Sequence, residues 1–464
     1  MPAFSIRHPL NVPSIPEPRL RAEPRSRCLA WLVAWLVFGS NSLLRSDPLP
    51  PLWPPHPGPL PHSGVHSESR IDCGGEEAES VEYRHLASTP TYDGQTLDAW
   101  RERMKSLDLQ SPEAATAVPG LLSILEDEAV PWFTRRQAAL TLGRIGAPAA
   151  LAVPLLERYA TAPAVEGDES TPLWAVKALA LFGPVAAPAT PSLARLVSDP
   201  HTDHSVRLMS IEALCRIGVA HPLALPTIIA LLQSHPPVVG PGRERAGAEL
   251  DLVVACIESL ELFRASGEAS VPVLLRFSED REERVRRAVA VTLGAIGPRA
   301  NDAASRLAEM VVADWSLDVR DVASVSLGRV GGTDWLTRIL HHSEPETRER
   351  AATGLGHSPS PDPATNEALA TARADESPLV RIAAIEATQR LRPAPQLTAP
   401  AAAKEIAAPD RQVRLRAIRF LTKLGPQAAS AIPVLEQLRQ HPETQVRQSA
   451  EKLLEGLRVE SMEM

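Results

Sequence analysis

Arginine recurs at one register over most of the chain, and a row of guanidinium groups is capable of chemistry. Between Arg135 and Leu454 the sequence repeats ten times, with few departures, the order Arg, a small residue three positions later, and Leu four positions after that. Each guanidinium presents five donors in a planar fork that matches carboxylate and phosphate groups. The row would therefore suit an anionic partner. Arginine fills eight of the ten slots, namely Arg135, Arg207, Arg286, Arg320, Arg348, Arg381, Arg414 and Arg447.

Acidic residues near these arginines favour a structural role for the row. Acids at the start of a helix cap it and offset its dipole, and they also accept an arginine from a neighbouring repeat. A ladder of paired charges leaves little net field to attract a partner. We therefore predict that the eight arginines form a structural ladder. The acids just upstream of them are Asp203, Glu282, Glu283, Asp318, Glu344, Glu346, Glu376, Asp410 and Glu443.

The other reactive residue types form no catalytic or metal-binding motif in the sequence. His341 and His342 are neighbours at the predicted end of a helix, where adjacent side chains point about 100° apart and make a poor shared metal site. Zinc-ligand spacing, a phosphate-binding loop and a nucleophile elbow are all missing from the sequence. Four cysteines are too few for a disulfide scaffold. We predict no catalytic residue, no cofactor and no metal.

The spacing of the arginine slots identifies the elements that position them. With Pro172 and Val253 in the two slots that lack Arg, the steps are 37, 35, 46, 33, 34, 28, 33, 33 and 33 residues. A period of 20–50 residues is typical of a stacked repeat array rather than of one globular core. The aromatic content of 4% fits thin layers of helices that pack through small side chains.

Each repeat is predicted to contain two helices. The first carries a recurring proline, and because proline bends a helix when it lies beyond the first turn, we predict a built-in bend. The prolines are Pro119, Pro154, Pro191, Pro226, Pro272 and Pro433. The second helix carries the Arg, small and Leu positions and ends at a glycine, the natural residue for a left-handed helix stop. These glycines are Gly146, Gly183, Gly218, Gly297, Gly331 and Gly425.

The second-helix sequences resemble HEAT repeats, and more narrowly the short HEAT-like type of phycobilisome lyases. The similarity is clearest from Val285 to Pro298 and from Val319 to Gly331, and it extends over roughly residues 112–458. The resemblance implies an all-α fold, an α-α superhelix of about ten helix pairs in which the arginines form a ladder. Such arrays serve many unrelated roles, so the resemblance implies little about activity.

The region before the array is predicted to be a targeting segment and a linker. An apolar run of eleven residues, 28–38, follows an arginine-rich leader. It is shorter than the roughly 20 residues that span a bilayer and fits a secretory signal. We predict a signal peptide or a short membrane anchor over residues 1–44. Residues 45–91, rich in proline, are predicted to be a disordered linker.

The array itself is predicted to cover residues 92–458, with an N-terminal cap helix in 92–111 and a C-terminal cap in 440–458. In the N-terminal cap, Leu97, Trp100 and Met104 fall on one helix face. Such a cap would hide the apolar side of the first repeat.

One insertion, residues 233–247, interrupts the array and explains the step of 46 residues. Insertions in solenoids lie in surface loops and often border the binding face. A neutral loop is the alternative, since long surface loops cost little stability. Both interpretations stay open at the level of sequence.

The net charge of −8 argues against a nucleic-acid partner, since phosphate neutralisation dominates that kind of affinity. Four tryptophans of the array occupy differing repeat positions, so we interpret them as packing residues. They are Trp132, Trp174, Trp315 and Trp335.

These observations predict a non-catalytic scaffold that binds another protein. We expect the repeats to lie outside the cytoplasm, in a protein that is secreted, periplasmic or membrane-anchored, with membrane contact through residues 28–44 only. The alternatives are an enzyme of the HEAT-like lyase or DNA glycosylase type and a structural cell-envelope protein.

Overall fold

The computed structural model describes residues 90–109, 111–163, 170–240 and 245–462. The predicted signal or anchor of residues 1–44 lies outside these ranges, as does the predicted linker apart from its last two residues. Within the described part the fold is all-α except for one antiparallel hairpin, in which β1 (Thr91–Tyr92) pairs with β2 (Gln95–Thr96).

The described helices form a cap helix, α1 (Leu97–Ser106), and ten successive pairs, which confirms the predicted solenoid. Each pair is one repeat, numbered one to ten along the chain. In order, the pairs are α2 (Pro112–Thr116) and α3 (Val118–Glu126) with α4 (Trp132–Ile145), α5 (Val153–Thr161) with α6 (Thr171–Phe182), α7 (Thr190–Ser198) with α8 (His204–Ile217), α9 (Ala224–Ser234) with α10 (Gly247–Ser259), α11 (Val271–Phe277) with α12 (Glu283–Ile296), α13 (Ala304–Ala313) with α14 (Leu317–Arg329), α15 (Thr333–Ile339) with α16 (Pro345–Leu355), α17 (Pro363–Ala372) with α18 (Pro378–Leu391), α19 (Pro395–Lys404) with α20 (Arg411–Leu424), and α21 (Ile432–Leu438) with α22 (Thr444–Met462).

Short 3-10 helices join several of these elements. They run over Ala147–Ala152, Gly183–Ala189, Gly218–Ala220, Leu260–Ser270, Gly297–Ala303, Glu405–Ala407 and Gly425–Ala431. One stretch, Thr171–Ser198, is long and apolar enough to cross a membrane by composition. It consists of α6, a 3-10 helix and α7. More than half of its most apolar 18-residue window is buried in the array, as expected of core helices.

Small residues let the second helices of neighbouring repeats pack closely. The small and Leu positions are fully buried, as at Ala351 and Leu355. A Cβ atom added at Gly143 would lie 2.7 Å from the carbonyl oxygen of Ala178. A Cβ atom added at Gly328 would lie 2.0 Å from the carbonyl oxygen of Gly354. The second helices therefore contact one another almost backbone to backbone, and burial of small apolar side chains joins each repeat to the next.

The recurring prolines stand at helix starts and do not bend a helix from within. Pro154, Pro191 and Pro272 are each the second residue of a first helix, directly after a 3-10 helix. An amide in the first turn has no intrahelical acceptor, so proline costs nothing there. The predicted bend within the first helix is therefore wrong, since these prolines lie in its first turn.

The predicted glycines do follow the ends of second helices, but five of them have ψ between −144° and −128°, outside the left-handed helical region. Repeat four uses a different residue at the same place. All six predicted glycines have positive φ, between 53° and 86°. Repeat four has Arg264 at the equivalent position, with φ 46° and ψ −134°, close to the φ 56° and ψ −132° of Gly218. A residue with a side chain in this region is strained. Repeat four, which also lacks the ladder arginine, is thus irregular as its sequence indicates.

The cap helix shields one end of the array. Trp100 is fully buried, and its indole Nε1 donates a hydrogen bond of 2.7 Å to the carbonyl oxygen of Tyr92 in the hairpin. A side chain at Gly120 of α3 would lie 2.1 Å from the Trp100 ring, so the indole packs on backbone. The Tyr92 hydroxyl in turn donates to Asp127, at 2.7 Å. The predicted C-terminal cap, residues 440–458, contains most of α22, and the helix extends beyond it to Met462.

Candidate functional site

The ladder arginines hold the loop between the two helices of their own repeat. In five of them Nη1 donates to the carbonyl oxygens five and six residues earlier, at 2.7–3.0 Å. These are Arg286, Arg348, Arg381, Arg414 and Arg447. Nε of Arg320 donates to the carbonyl oxygen of Asp314, also six residues earlier. Backbone carbonyls cannot be recognised as acceptors in a sequence, so this role was not predicted.

Three of these arginines also reach a carboxylate of the next repeat. Arg286 pairs with Asp314 at 2.7 and 2.9 Å, and Arg348 pairs with Asp375 at 2.9 Å through both oxygens. Arg381 pairs with Glu405 at 2.8 and 2.9 Å. Each pair is bidentate and largely shielded from solvent, which makes it stronger than an exposed ion pair. These ion pairs between neighbouring repeats are called rungs below.

The rung acids differ from those chosen from the sequence. Among the predicted acids, Glu376 accepts from Arg348 at 3.2 Å through an exposed side chain. Asp203 and Asp410 instead cap α8 and α20 by accepting from backbone amides. The acids that complete the rungs lie in loops 24 to 28 residues further along the chain. Helix-capping acids sit next to their own arginine in sequence, and that proximity made them the more visible candidates.

A recurring aspartate connects each rung to the fold of its own loop. In Asp280, Asp314 and Asp375, six residues before a ladder arginine, Oδ1 accepts the backbone amide two residues on, at 2.8–3.0 Å. Burial raises the pKa of Asp375, but hydrogen bonds from Arg348 and from the Ser377 amide outweigh it, so the net pKa lies below the ordinary value. The aspartate therefore stays ionised and shapes the loop while it binds the preceding repeat.

The insertion supplies the guanidinium that repeat four lacks. Arg245 donates to Asp280 at 2.7 Å and to the carbonyl oxygen of Pro236 at 2.8 Å. Both charged side chains are 0% exposed. The amide of Val238 also donates to Asp280, at 2.9 Å. Because Asp280 occupies the position of Asp314 and Asp375, Arg245 completes a rung although Val253 fills the ladder slot.

The first three repeats position their ladder residues differently. The Arg135 guanidinium lies over the Tyr159 ring, with 5.8 Å between Cζ and the ring centroid. Nε of Arg207 donates to the carbonyl oxygen of Val197 at 3.1 Å. Beside the Pro172 slot, Trp174 is buried, and its ring centroid lies 5.6 Å from that of Tyr159. Aromatic rings therefore lie beside the ladder slots of repeats one and two.

Exposed aromatic side chains lie beside the ladder at the starts of second helices. Trp315 is 68% exposed, and its ring lies 4.4 Å from the Arg286 guanidinium. Phe133 is exposed in repeat one, 5.2 Å from Arg101. The interpretation of the tryptophans as packing residues is right for Trp174 and wrong for Trp315. Helical periodicity does not extend into the loop before α14, so it could not report the orientation of Trp315.

A second polar network runs over the second helices of repeats six to nine. Arg416 donates to Glu386 at 2.6 Å and to Glu349 at 2.8 Å, so one guanidinium joins three successive repeats. Arg350 donates to Asp321 at 2.6 Å. The three acids on this surface are therefore matched by two arginines of the array itself.

A family model described as HEAT repeats matches residues 251–328 and 333–404, which lie in repeats four to nine. The first segment contains the Arg286–Asp314 rung, and the second contains the Arg348–Asp375 rung. This chain is a HEAT-repeat protein. The match does not include repeats one to three.

Solved structures with similarity to this HEAT-repeat protein include three of different kinds. An engineered protein shares 18% identity over 75% of this chain and 99% of its own, with a TM-score of 0.31. The complex of CpcE and CpcF of phycocyanin lyase from Nostoc sp. PCC7120 shares 22% over 54% of this chain and 91% of its own, with a TM-score of 0.32. Kap121p shares 13% over 77% of this chain and 43% of its own, with a TM-score of 0.42. No curated protein matches the sequence.

Three titratable groups with raised pKa values lie in repeats three and four. Burial raises the pKa of Glu261 to about 7, with a further contribution from Glu258. Burial also raises the pKa of both Cys215 and Cys256, which fits their place in the core. In the part of the chain that the structure describes, His, Cys, Asp and Glu form no group of three or more that would hold a metal.

Proposed function

We propose that this HEAT-repeat protein is a non-catalytic scaffold that binds another protein along an extended surface. The observation that carries the proposal is the exposed indole of Trp315 on the buried guanidinium of Arg286. Tryptophan and arginine dominate the energetic centres of protein interfaces, and exposed large apolar groups mark interaction sites.

The ladder prepares this anchor for binding. Arg286 is held by Asp314 and by two loop carbonyls, so its guanidinium has a fixed position under the indole. A side chain that is ordered before binding loses less conformational entropy in the complex. Leu317, also exposed, lies two residues on at the start of α14. The two side chains would insert into an apolar pocket of the partner.

We further propose that the repeats act outside the cytoplasm, in a protein that is exported or tethered through its N-terminal region. The apolar run of residues 28–38 and the proline-rich stretch after it support this location. Cell fractionation tests it: an extracytoplasmic protein, soluble or detergent-dependent, is expected. A full-length cytoplasmic chain would remove this part of the proposal.

Affinity capture from the native compartment tests the scaffold function. The full-length chain is compared with Trp315→Ala and with the matched control Leu151→Ala. Leu151 is another large exposed side chain, 79% exposed, and it lies in the 3-10 helix that follows α4. We expect one reproducible protein partner whose recovery falls at least tenfold, roughly, with Trp315→Ala and stays unchanged with Leu151→Ala. Equal recovery by both variants, or no reproducible partner, would overturn the proposal.

A further inference from the structure

Cationic side chains recur at the carboxyl ends of four successive second helices. Arg329, His357, Arg390 and Lys423 each lie nine residues after a ladder arginine, in repeats six to nine. Arg329, Arg390 and Lys423 are exposed, and His357 is half-buried between the first two. These four residues are called the basic stripe.

Close helix contacts bring neighbouring members of the basic stripe together. A side chain at Gly328, next to Arg329, would lie 3.3 Å from the Cβ of His357. One at Gly356, next to His357, would lie 3.0 Å from Nη1 of Arg390. The glycines before Arg329 and His357 thus permit the close approach of their helices, and the approach places Arg329, His357 and Arg390 beside one another.

The acids on the same surface do not neutralise the stripe. Arg350 and Arg416 occupy the carboxylates of Asp321, Glu349 and Glu386. Among the described residues, no ion pair includes Arg329, Arg390 or Lys423. The field of Glu261 does reach Arg329, but a carboxyl with a pKa of about 7 is only partly ionised near neutral pH.

His357 reports the potential at the centre of the stripe. Burial lowers the pKa of its imidazole first, and the charges of Arg390 and Arg329 lower it further, to about 4. A histidine between two arginines without a nearby carboxylate experiences a positive field. Cations near a helix C-terminus offset its dipole, which explains one arginine per helix. It does not explain why Arg329, His357 and Arg390 lie together where their helices approach through glycine, since like charges repel.

We propose that the basic stripe binds an extended acidic segment of the protein partner. Neighbouring packed helices lie about 8–10 Å apart, and a peptide in the extended polyproline II conformation advances about 3.1 Å per residue with three residues per turn, so every third side chain lies on one face. Acids at every third position would therefore face successive cations. This inference rests on the scaffold function and adds the chemistry of the partner. It also commits to protein over nucleic acid, because the stripe contains no aromatic platform for bases.

Fluorescence anisotropy with the full-length chain tests the inference. The probe is a labelled peptide with Glu at every third position and Gly or Ser between them, in a buffer of about 0.05 M ionic strength, where screening is weak. The variant is Arg390→Glu with Lys423→Glu. The control is Arg144→Glu, which changes an exposed arginine of the same register in repeat one, where repeat two has Leu181 beside it. Arg390→Gln with Lys423→Gln serves if the reversed charges impair folding.

We expect the double variant to weaken binding at least tenfold, roughly, and to flatten its salt dependence, while the control stays within about twofold. Equal effects of the double variant and the control, or no binding at low salt, would overturn the inference. So would tighter binding of single-stranded DNA than of the peptide. Capture of a partner through Trp315 is read separately, so loss of peptide binding alone removes the acidic-segment inference and leaves the scaffold proposal intact.

Discussion

The described residues beside the ladder slots differ between repeats one and two and repeats four to nine. Aromatic rings lie beside the slots in the first group, namely Tyr159 and Trp174. Ion pairs join neighbouring repeats in the second group, from the Arg245–Asp280 pair to the bidentate Arg381–Glu405 pair. The small and Leu columns are buried in both groups. Stacking therefore depends on the apolar columns, and the charges add an orientation-specific connection on top of it.

The comparison also separates two roles of the ladder arginine. The bonds to carbonyl oxygens of the loop recur from Arg286 to Arg447. The rung is present only where the next repeat offers an acid at the right place. Repeat four shows that the rung matters to this array, because an arginine from outside the register, Arg245, completes it.

The largest effect is expected from Asp280→Ala, which breaks the buried rung of repeats four and five. Arg245 would keep a fully buried charge with Glu249 as its remaining ion-pair partner, and breaking a buried pair costs up to about 3–5 kcal/mol. Because repeat arrays open locally, hydrogen exchange of α11 and α12 is the measurement. Glu268→Ala, which breaks the exposed Arg299 pair, is the control and should cost below about 1 kcal/mol. Similar exchange in both variants would mean that the buried rung does not join the repeats.

A smaller difference should separate Arg348→Gln from Arg414→Gln. Both variants lose two bonds to loop carbonyls, but only Arg348 also loses a bidentate rung. We expect about 2–3 kcal/mol for Arg348→Gln and about 1 kcal/mol for Arg414→Gln. Local exchange rates around each loop measure the two values. Equal losses would show that the loop bonds carry the whole contribution of the ladder.

Dependence on pH should be concentrated in the charged group of repeats. The pKa of Glu261 is raised from 4.5 to about 7, so the folded state keeps a proton that the unfolded chain releases, and stability falls as pH rises through this window. After allowance for partial exposure, Glu261→Gln should gain roughly 1–2 kcal/mol at pH 8 relative to pH 4. Exchange in α10 to α12 should report it and α4 to α6 should not. An equal pH effect in both segments would contradict this localisation.

The smallest effect is a gain in stability from Arg264→Gly. The substitution gives repeat four the helix stop that Gly146, Gly183 and Gly218 give the first three repeats, and it relieves a side chain at φ 46°. Strain relief minus the entropy of glycine leaves about 1 kcal/mol. Thermal unfolding measures it, with Arg264→Ala as the control that keeps a Cβ. A lower melting temperature for the glycine variant would show that the Arg264 side chain stabilises its site.

The sequence predicts the elements well because their signals are periodic. The ten helix pairs, the glycine stops and the Trp100 face of the cap all follow from spacing and local chemistry. The rungs are harder to predict, because their acids lie one repeat away and Arg245 lies outside the register. A usable signal was present: aspartate recurs six residues before the ladder position, as Asp280, Asp314 and Asp375. The exposure of Trp315 had no such signal, since no period reaches its loop.

A double-mutant cycle on Arg286 and Asp314 tests the central claim most directly, namely that the ladder arginines join one repeat to the next. Each residue is replaced singly and together by alanine, and local exchange in α12 to α14 gives the free energies. The two side chains are nearly inaccessible to solvent, and the Arg286 guanidinium donates to both carboxylate oxygens of Asp314. We therefore predict a coupling energy of about 2 kcal/mol. A coupling energy below about 0.5 kcal/mol, which is the range of independent sites, would contradict the account.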